Sequence, residues 1–138
     1  MRKEKWKEHI RILLCNLGEY KMSAERKVLF HINEPENWKK VITNVKNFIK
    51  DVGVDGAEIE VLANGNAVII LKDKNEYEEV LDQLAEITDK KVKVVVCNNA
   101  LNAHEIHKEV LPAFVEVVPA GITEIVKRQN EGYAYIKP

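Results

Sequence analysis

Short runs of strand formers alternate along the chain with segments whose apolar residues recur at three- and four-residue spacing. Residues 28–32 (VLFHI) are the first run, and it stops at Asn33–Glu34–Pro35. Pro35 disfavours helix at Glu34 and suits the first turn of a helix just after it. There Trp38, Val41, Ile42, Val45, Phe48 and Ile49 form one stripe of a helix that Gly53 and Gly56 end. Residues 57–63 read as a second strand. Residues 76–87 read as a helix with Tyr77, Val80, Leu81, Leu84 and Ile87 on one face, and 91–97 as a third strand. Val92, Val94, Val95 and Val96 make that run the kind buried on both faces of a sheet. A helix over 100–110 comes next, then a strand over 114–118. Pro119–Ala120–Gly121 opens a helix to Asn130, and a short strand over 133–136 completes the pattern.

Asn64–Gly65 is ambiguous. Between two apolar runs this dipeptide is the strongest short hairpin signal, and it would pair 57–63 with 67–71. The alternation on either side favours instead a strand, a loop and a short helix over 67–72. The βα order as a whole predicts an α/β, Rossmann-like fold: a five-stranded, mainly parallel sheet with helices on both faces.

Composition narrows the class. A chain of 138 residues with 46% hydrophobic and 31% charged residues is globular and suits one compact domain. With 21 Lys and Arg against 22 Asp and Glu, the balance argues against a nucleic-acid or membrane-surface protein. No apolar run approaches the roughly 20 residues of a membrane helix. Two cysteines, Cys15 and Cys97, are too few for a disulfide scaffold and fit a reducing, cytoplasmic setting.

The charge is uneven. Residues 1–27 carry eight Lys and Arg against four acids, yet those acids and the short apolar stretch 12–15 speak against a targeting peptide. Trp6, Ile10, Leu13, Leu14 and Leu17 fall on one stripe instead, an amphipathic helix that Gly18 would stop. A second reading is that Met22 is the natural start. The expected division is an N-terminal extension over 1–26 and a domain over 27–138, with the exposed apolar stripe calling for a subunit partner.

Cys97 is the residue with most chemical promise. It closes the third strand just before a helix, which places it at the carboxyl edge of the sheet, where open α/β folds build sites. Free N–H groups and about half a positive charge at a helix N-terminus stabilise a thiolate. Cysteine is also a small hydrophobe that is often buried and inert. All carboxyl ends of a parallel sheet share one edge, so His31, Asn33, Asn64, Gly65, Asn98, Asn99, Pro119 and Gly121 would ring Cys97 as candidate ligands for a small anion or sulfur species. Each asparagine alone also suits a turn or a cap.

His104 and His107, three apart on the predicted helix, lack further ligands at fixed spacing and read as surface residues, so no metal is expected. C-x-x-C, G-x-G-x-x-G, G-x-x-x-x-G-K-[ST] and G-x-S-x-G are all absent from the sequence, and no cofactor is expected. The acids read mainly as solvated helix faces, and Arg128, Gln129 and Glu131 as a surface for a subunit partner.

The segment Val94–Val95–Val96–Cys97–Asn98–Asn99–Ala100–Leu101 resembles the strand–cysteine–helix turn of the DsrE/DsrF-like family of small sulfur-relay proteins. The nearer likeness is to an uncharacterised single-domain branch. Its C-terminal signature is similar to Val117–Val118–Pro119–Ala120–Gly121, Glu124–Ile125–Val126, Arg128–Gln129 and Glu131–Gly132–Tyr133–Ala134–Tyr135–Ile136–Lys137. The resemblance covers 27–138. It implies a five-stranded Rossmann-like sheet, assembly into a homo-oligomer (trimer or hexamer), and a Cys97 that holds sulfur as a persulfide between donor and acceptor proteins. The expected function is thus an intracellular sulfur carrier. The alternative is a non-catalytic small-ligand-binding or assembly protein with a structural cysteine.

Overall fold

The computed structural model describes residues 26–138. The amphipathic stripe before Gly18, the alternative start at Met22 and Cys15 lie outside the described residues. Five strands, β1 (Lys27–Ile32), β2 (Glu58–Ala63), β3 (Val92–Cys97), β4 (Val115–Val118) and β5 (Ala134–Ile136), form one sheet in the order β4-β3-β2-β1-β5. Every neighbouring pair is parallel. The α-helices are α1 (Trp38–Val52), α2 (Glu78–Asp89), α3 (Asn98–Ala103) and α4 (Gly121–Asn130). Short 3-10 helices occupy Pro35–Asn37, Gly65–Leu71 and Lys108–Val110.

Strand order and crossover handedness decide which face each helix covers. From β1 to β4 the chain steps in one direction across the sheet, so right-handed crossovers put α1, α2 and α3 on the same face. The step from β4 to β5 runs the opposite way, past β3, β2 and β1, and it carries α4 onto the other face. The connections leaving β3 and β4 therefore diverge to opposite sides of the sheet. A crevice opens at such a switch point, and Cys97 ends β3 beside it.

The two faces are built differently. On the first, alternate residues Val28, Phe30, Ile32, Val61, Ala63, Val94 and Val96 meet the buried stripes of α1, α2, α3 and the 3-10 helix over Gly65–Leu71. Trp38, 2% exposed, anchors this layer and donates its indole N–H to Ala67 O at 2.9 Å. On the second, a small cluster of Leu29, Leu62, Val95 and Ile125 lies under α4, with Val118 and Tyr133 at its margin.

Asn64–Gly65 makes no hairpin. It ends β2 and leads into the 3-10 helix, the second of the two arrangements the sequence allowed. Gly65 has φ +55°, and a Cβ there would stand 3.2 Å from Asn33 O, so the two strand-end loops meet closely only because this residue is glycine. Asn33 O also accepts the Ala67 N–H at 3.1 Å.

Two expectations need correction. The helix expected over 100–110 stops at Ala103. Glu105 adopts φ 57°, its N–H bonds Asn102 O at 3.1 Å and the Ile106 N–H bonds Leu101 O at 2.9 Å. This is a Schellman ending, held by contact between the buried Ile106 and Leu101 and not by a glycine. His104 and His107 consequently do not share a helix: one is half-buried in the turn, the other exposed beyond it. The second correction concerns the acids. Glu60 and Glu124 are buried, and Arg128 turns inward to them instead of toward a surface.

Candidate functional site

Strand register sets a row of polar side chains along the carboxyl edge of the second face. Ala63 pairs with Val96, so continuing the ladder by one residue brings Asn64 level with Cys97, and strand alternation puts both on the side of Leu62 and Val95. His31 alternates with Leu29 on that same side, and Leu29 pairs with Tyr135 of β5. Tyr135, His31, Asn64 and Cys97 thus come from four strands that are successive neighbours in the sheet.

Three of these side chains are joined. His31 Nδ1 lies 2.6 Å from the Tyr135 hydroxyl, and His31 Nε2 lies 2.9 Å from Asn64 Oδ1. An amide oxygen only accepts, so in this arrangement Nε2 carries a hydrogen, while the Tyr135 hydroxyl, which can donate or accept, pairs with Nδ1. Burial pushes the Tyr135 pKa up, so that phenol stays protonated. With Oδ1 turned to His31, the Asn64 amide nitrogen faces the other way, toward α4. Nδ2 lies 3.3 Å, and Cys97 Cβ 3.4 Å, from the position a Cβ would take on Gly121. A Cβ on the first residue of α4 would press on Asn64, which would have to give by a few tenths of an ångström.

Two helix N-termini converge on this spot. Cys97 is itself the N-cap residue of α3, and Ala120 is the N-cap of α4. Neither helix receives a side-chain cap. Alanine has no acceptor to offer, so the first N–H groups of α4 are left without an intrahelical partner beside Cys97 and favour negative charge there. Cys97 is 6% exposed and belongs to the larger core while bordering Gly121.

A second polar cluster holds α4 down. Arg128 Nε donates to Glu60 Oε1 at 2.9 Å and to Glu124 Oε2 at 3.0 Å, while its Nη1 donates to Glu131 at 2.8 Å. The guanidinium lies 5.1 Å from the centre of the Tyr133 ring. Burial, reinforced by Glu124, pushes the Glu60 pKa up to about 7 against the pull of Arg128. Glu60 Oε2 has no hydrogen-bond partner among the described residues, a position that a protonated carboxyl tolerates better than a carboxylate. For Glu124, burial pushes upward, but its coupling to Glu60 and the charge of Arg128 outweigh it and its pKa falls. Of the two carboxyls, Glu60 is therefore the one that holds a proton more tightly.

Of the residues singled out from sequence, the structure gathers Cys97, His31, Asn64 and Gly121. Asn33 and Gly65 lie beside them as the backbone contact between loops. Asn98 is half-buried, while Asn99 and Pro119 are exposed, and neither asparagine makes a side-chain hydrogen bond among the described residues. Sequence reasoning missed Tyr135, because nothing local shows that the last strand pairs with the first. It also missed the Glu60–Arg128 pair; the alternation of Glu58 and Glu60 with Ile59 and Val61 reads as a solvent face until α4 is placed over it.

A separate groove of about 360 Å³ opens on the first face between Leu71, Lys72, Ile106 and His107, away from Cys97. Among the described residues no group of three His, Cys, Asp or Glu side chains could hold a metal, and no helix is long and apolar enough to cross a membrane.

The profile of the DsrE/DsrF-like family matches residues 26–138. The chain belongs to the DsrE/DsrF-like family. Among solved structures it is similar to MTH1491, a protein of unknown function from Methanobacterium thermoautotrophicum, with 35% sequence identity and a TM-score of 0.73. That match covers 82% of this chain and 99% of MTH1491. No curated protein matches the chain significantly. The α/β architecture with its five parallel strands is thus the architecture the family resemblance implied.

Proposed function

We propose that this DsrE/DsrF-like protein is a sulfur carrier that holds sulfane sulfur on Cys97 as a persulfide. The observation that carries the reading is the position of Cys97 at the switch point, beside the uncapped N-terminus of α4 and the amide face of Asn64. These groups are N–H donors, and a thiolate or persulfide anion is the acceptor they lack. The Cys97 thiolate attacks the outer sulfur of a donor persulfide. A bond forms between Cys97 Sγ and that sulfur, the sulfur–sulfur bond of the donor breaks, and its electron pair leaves with the donor thiolate. No net oxidation occurs, and the reverse step unloads the sulfur onto an acceptor thiolate. Donor and acceptor proteins, a reducing cytoplasmic setting and a homo-oligomeric state belong to the same reading.

Intact mass measured after incubation with a persulfide donor tests it. A gain of one sulfur, removed by reductant and absent in Cys97→Ala, is the expected result; equal gain in Cys97→Ala overturns the assignment. The near-complete burial of Cys97 favours a second reading, a small-ligand-binding or assembly protein with a structural cysteine. In that case Cys97 stays unlabelled by alkylating reagent until the protein unfolds, and no sulfur is gained.

A further inference from the structure

We propose that α4 is a proton-controlled latch: a proton on Glu60 keeps the helix on the sheet, and its loss lets α4 lift away from Cys97. The inference rests on the carrier reading only for what the uncovered thiol then does, which is to meet a sulfur donor. Its own support begins with a balance of charges. The guanidinium of Arg128 serves three carboxyls, those of Glu60, Glu124 and Glu131. Its Nε has a single hydrogen, and Glu60 and Glu124 both draw on it, at 2.9 and 3.0 Å. With both ionised, two negative charges would share that hydrogen in a layer where Glu60 is 1% and Glu124 7% exposed. Glu60 Oε2, without a partner among the described residues, would then be a buried anionic oxygen. A proton on Glu60 removes the excess, and burial, which raises its pKa to about 7, places the change near neutrality. The other charged and titratable groups around Glu60 leave the excess in place. Lys93, its neighbour in register on β3, is 42% exposed and lies 3.8 Å from Glu116 of β4, while the neighbour on β1 is the apolar Leu29. Lys127 acts on Glu124 from the exposed side of α4. Tyr133 lies against Arg128 and Lys27, with its hydroxyl 3.4 Å from Glu58, and burial raises its pKa.

What the proton holds down is a lightly packed helix. Ile125 is the one large apolar side chain that α4 buries, whereas Ile122 and Val126 stand 68% and 52% exposed. By contrast, α1 buries Trp38, Val41, Ile42, Val45 and Ile49. An element with so few buried apolar contacts opens at a lower free-energy cost than the rest of its domain. Glu124 and Arg128 travel with α4, so lifting lets water reach the carboxylates that crowd one guanidinium. It also withdraws Gly121, whose Cβ position is 3.4 Å from Cys97 Cβ, from a cysteine that is 6% exposed while the helix is down.

The test is hydrogen–deuterium exchange of the full-length parent protein at pH 5.5 and pH 8.5, with α1 as the internal standard. Base catalysis speeds the intrinsic exchange of both helices alike, so the quantity read is the protection of α4 relative to α1. The latched state binds the Glu60 proton more tightly than the lifted state, where the carboxyl returns to its ordinary 4.5. Lifting is therefore suppressed at low pH and released as pH rises through about 7, and the relative protection of α4 should fall by up to about thirtyfold between the two conditions. In Glu60→Gln, neutral at every pH, it should stay constant. Access to Cys97 is read in the full-length Cys15→Ser protein, where it is the remaining thiol, from the rate of reaction with 4,4′-dithiodipyridine. Dividing that rate by the rate in the same protein carrying Glu60→Gln cancels the titration of the thiol itself, and the ratio should rise with pH as α4 loses protection. Parallel protection of α1 and α4 in the parent overturns the latch, and this measurement decides alone should Glu60→Gln not fold. A pH-dependent relative protection that survives in Glu60→Gln also overturns it, as does a flat thiol ratio. Sulfur loading is read separately by mass. Loading with parallel protection rejects the latch and keeps the carrier, whereas a working latch without loading rejects the carrier and keeps the latch.

Discussion

The two faces of the sheet solve the same burial problem with different materials. The first is covered by three crossovers and is apolar throughout its buried layer, from Trp38 to Ile87. The second is covered by α4 alone among the described residues, and it holds all three buried polar side chains of the described chain, His31, Glu60 and Glu124. Apolar packing is tolerant of small shifts, while charge-assisted hydrogen bonds near 2.9 Å fix distance and angle. The first face therefore supplies stability, and the second supplies the placement of α4, whose first residue borders Cys97.

The largest effect should come from the apolar side. Trp38→Ala removes a buried indole and its bond to Ala67, and should cost about 3–5 kcal/mol in urea denaturation, equally at pH 5 and pH 8. A cost that changed with pH would break the division between the faces. The second effect sharpens it. The folded-state pKa of Glu60 lies above its ordinary value of 4.5, at about 7, so the folded protein holds this proton more tightly than the unfolded chain does. The resulting stabilisation is complete below about pH 4.5 and is lost as pH climbs to about 7, up to about 3 kcal/mol in all. The lowered pKa of Glu124 acts the other way and only at more acidic pH. Subtracting the stability of Glu60→Gln from that of the parent at pH 5 and pH 8 isolates this slope; parallel curves would mean that Glu60 is ionised in the fold. The smallest effect lies in the turn after α3. Glu105→Gly relieves a left-handed residue and should raise Tm by about 3 °C, a gain of about 1 kcal/mol. An unchanged Tm would show that the Ile106–Leu101 contact fully offsets the strain.

The same contrast explains what could be read from the chain. The apolar stripes on the first face, from Trp38 to Ile49 and from Val80 to Ile87, are periodic, and period is a local property. With the valines of β3 they suffice for a parallel α/β sheet, and the position of Cys97 at its carboxyl edge is a direct consequence. The end of the helix after Cys97 is hidden, because a Schellman turn at Glu105 depends on two hydrophobes meeting in the fold, without the glycine that usually marks it. Tyr135 and Glu60 are illegible for a deeper reason. Their partners, His31 and Arg128, lie 104 and 68 residues away, and only the order of strands brings them together.

The placement of β5 against β1 also has a temporal meaning. The strands β1 to β4 can assemble as neighbours in the order in which a ribosome releases them, each closing a short loop. Joining His31 to Tyr135 closes the longest one, whose entropic cost comes late and all at once. Nascent chains would hold their first core well before the row beside Cys97 exists. Cys97 would then gain the neighbours that the late C-terminal elements supply only in finished molecules, so an unfinished chain would present its thiol in different surroundings.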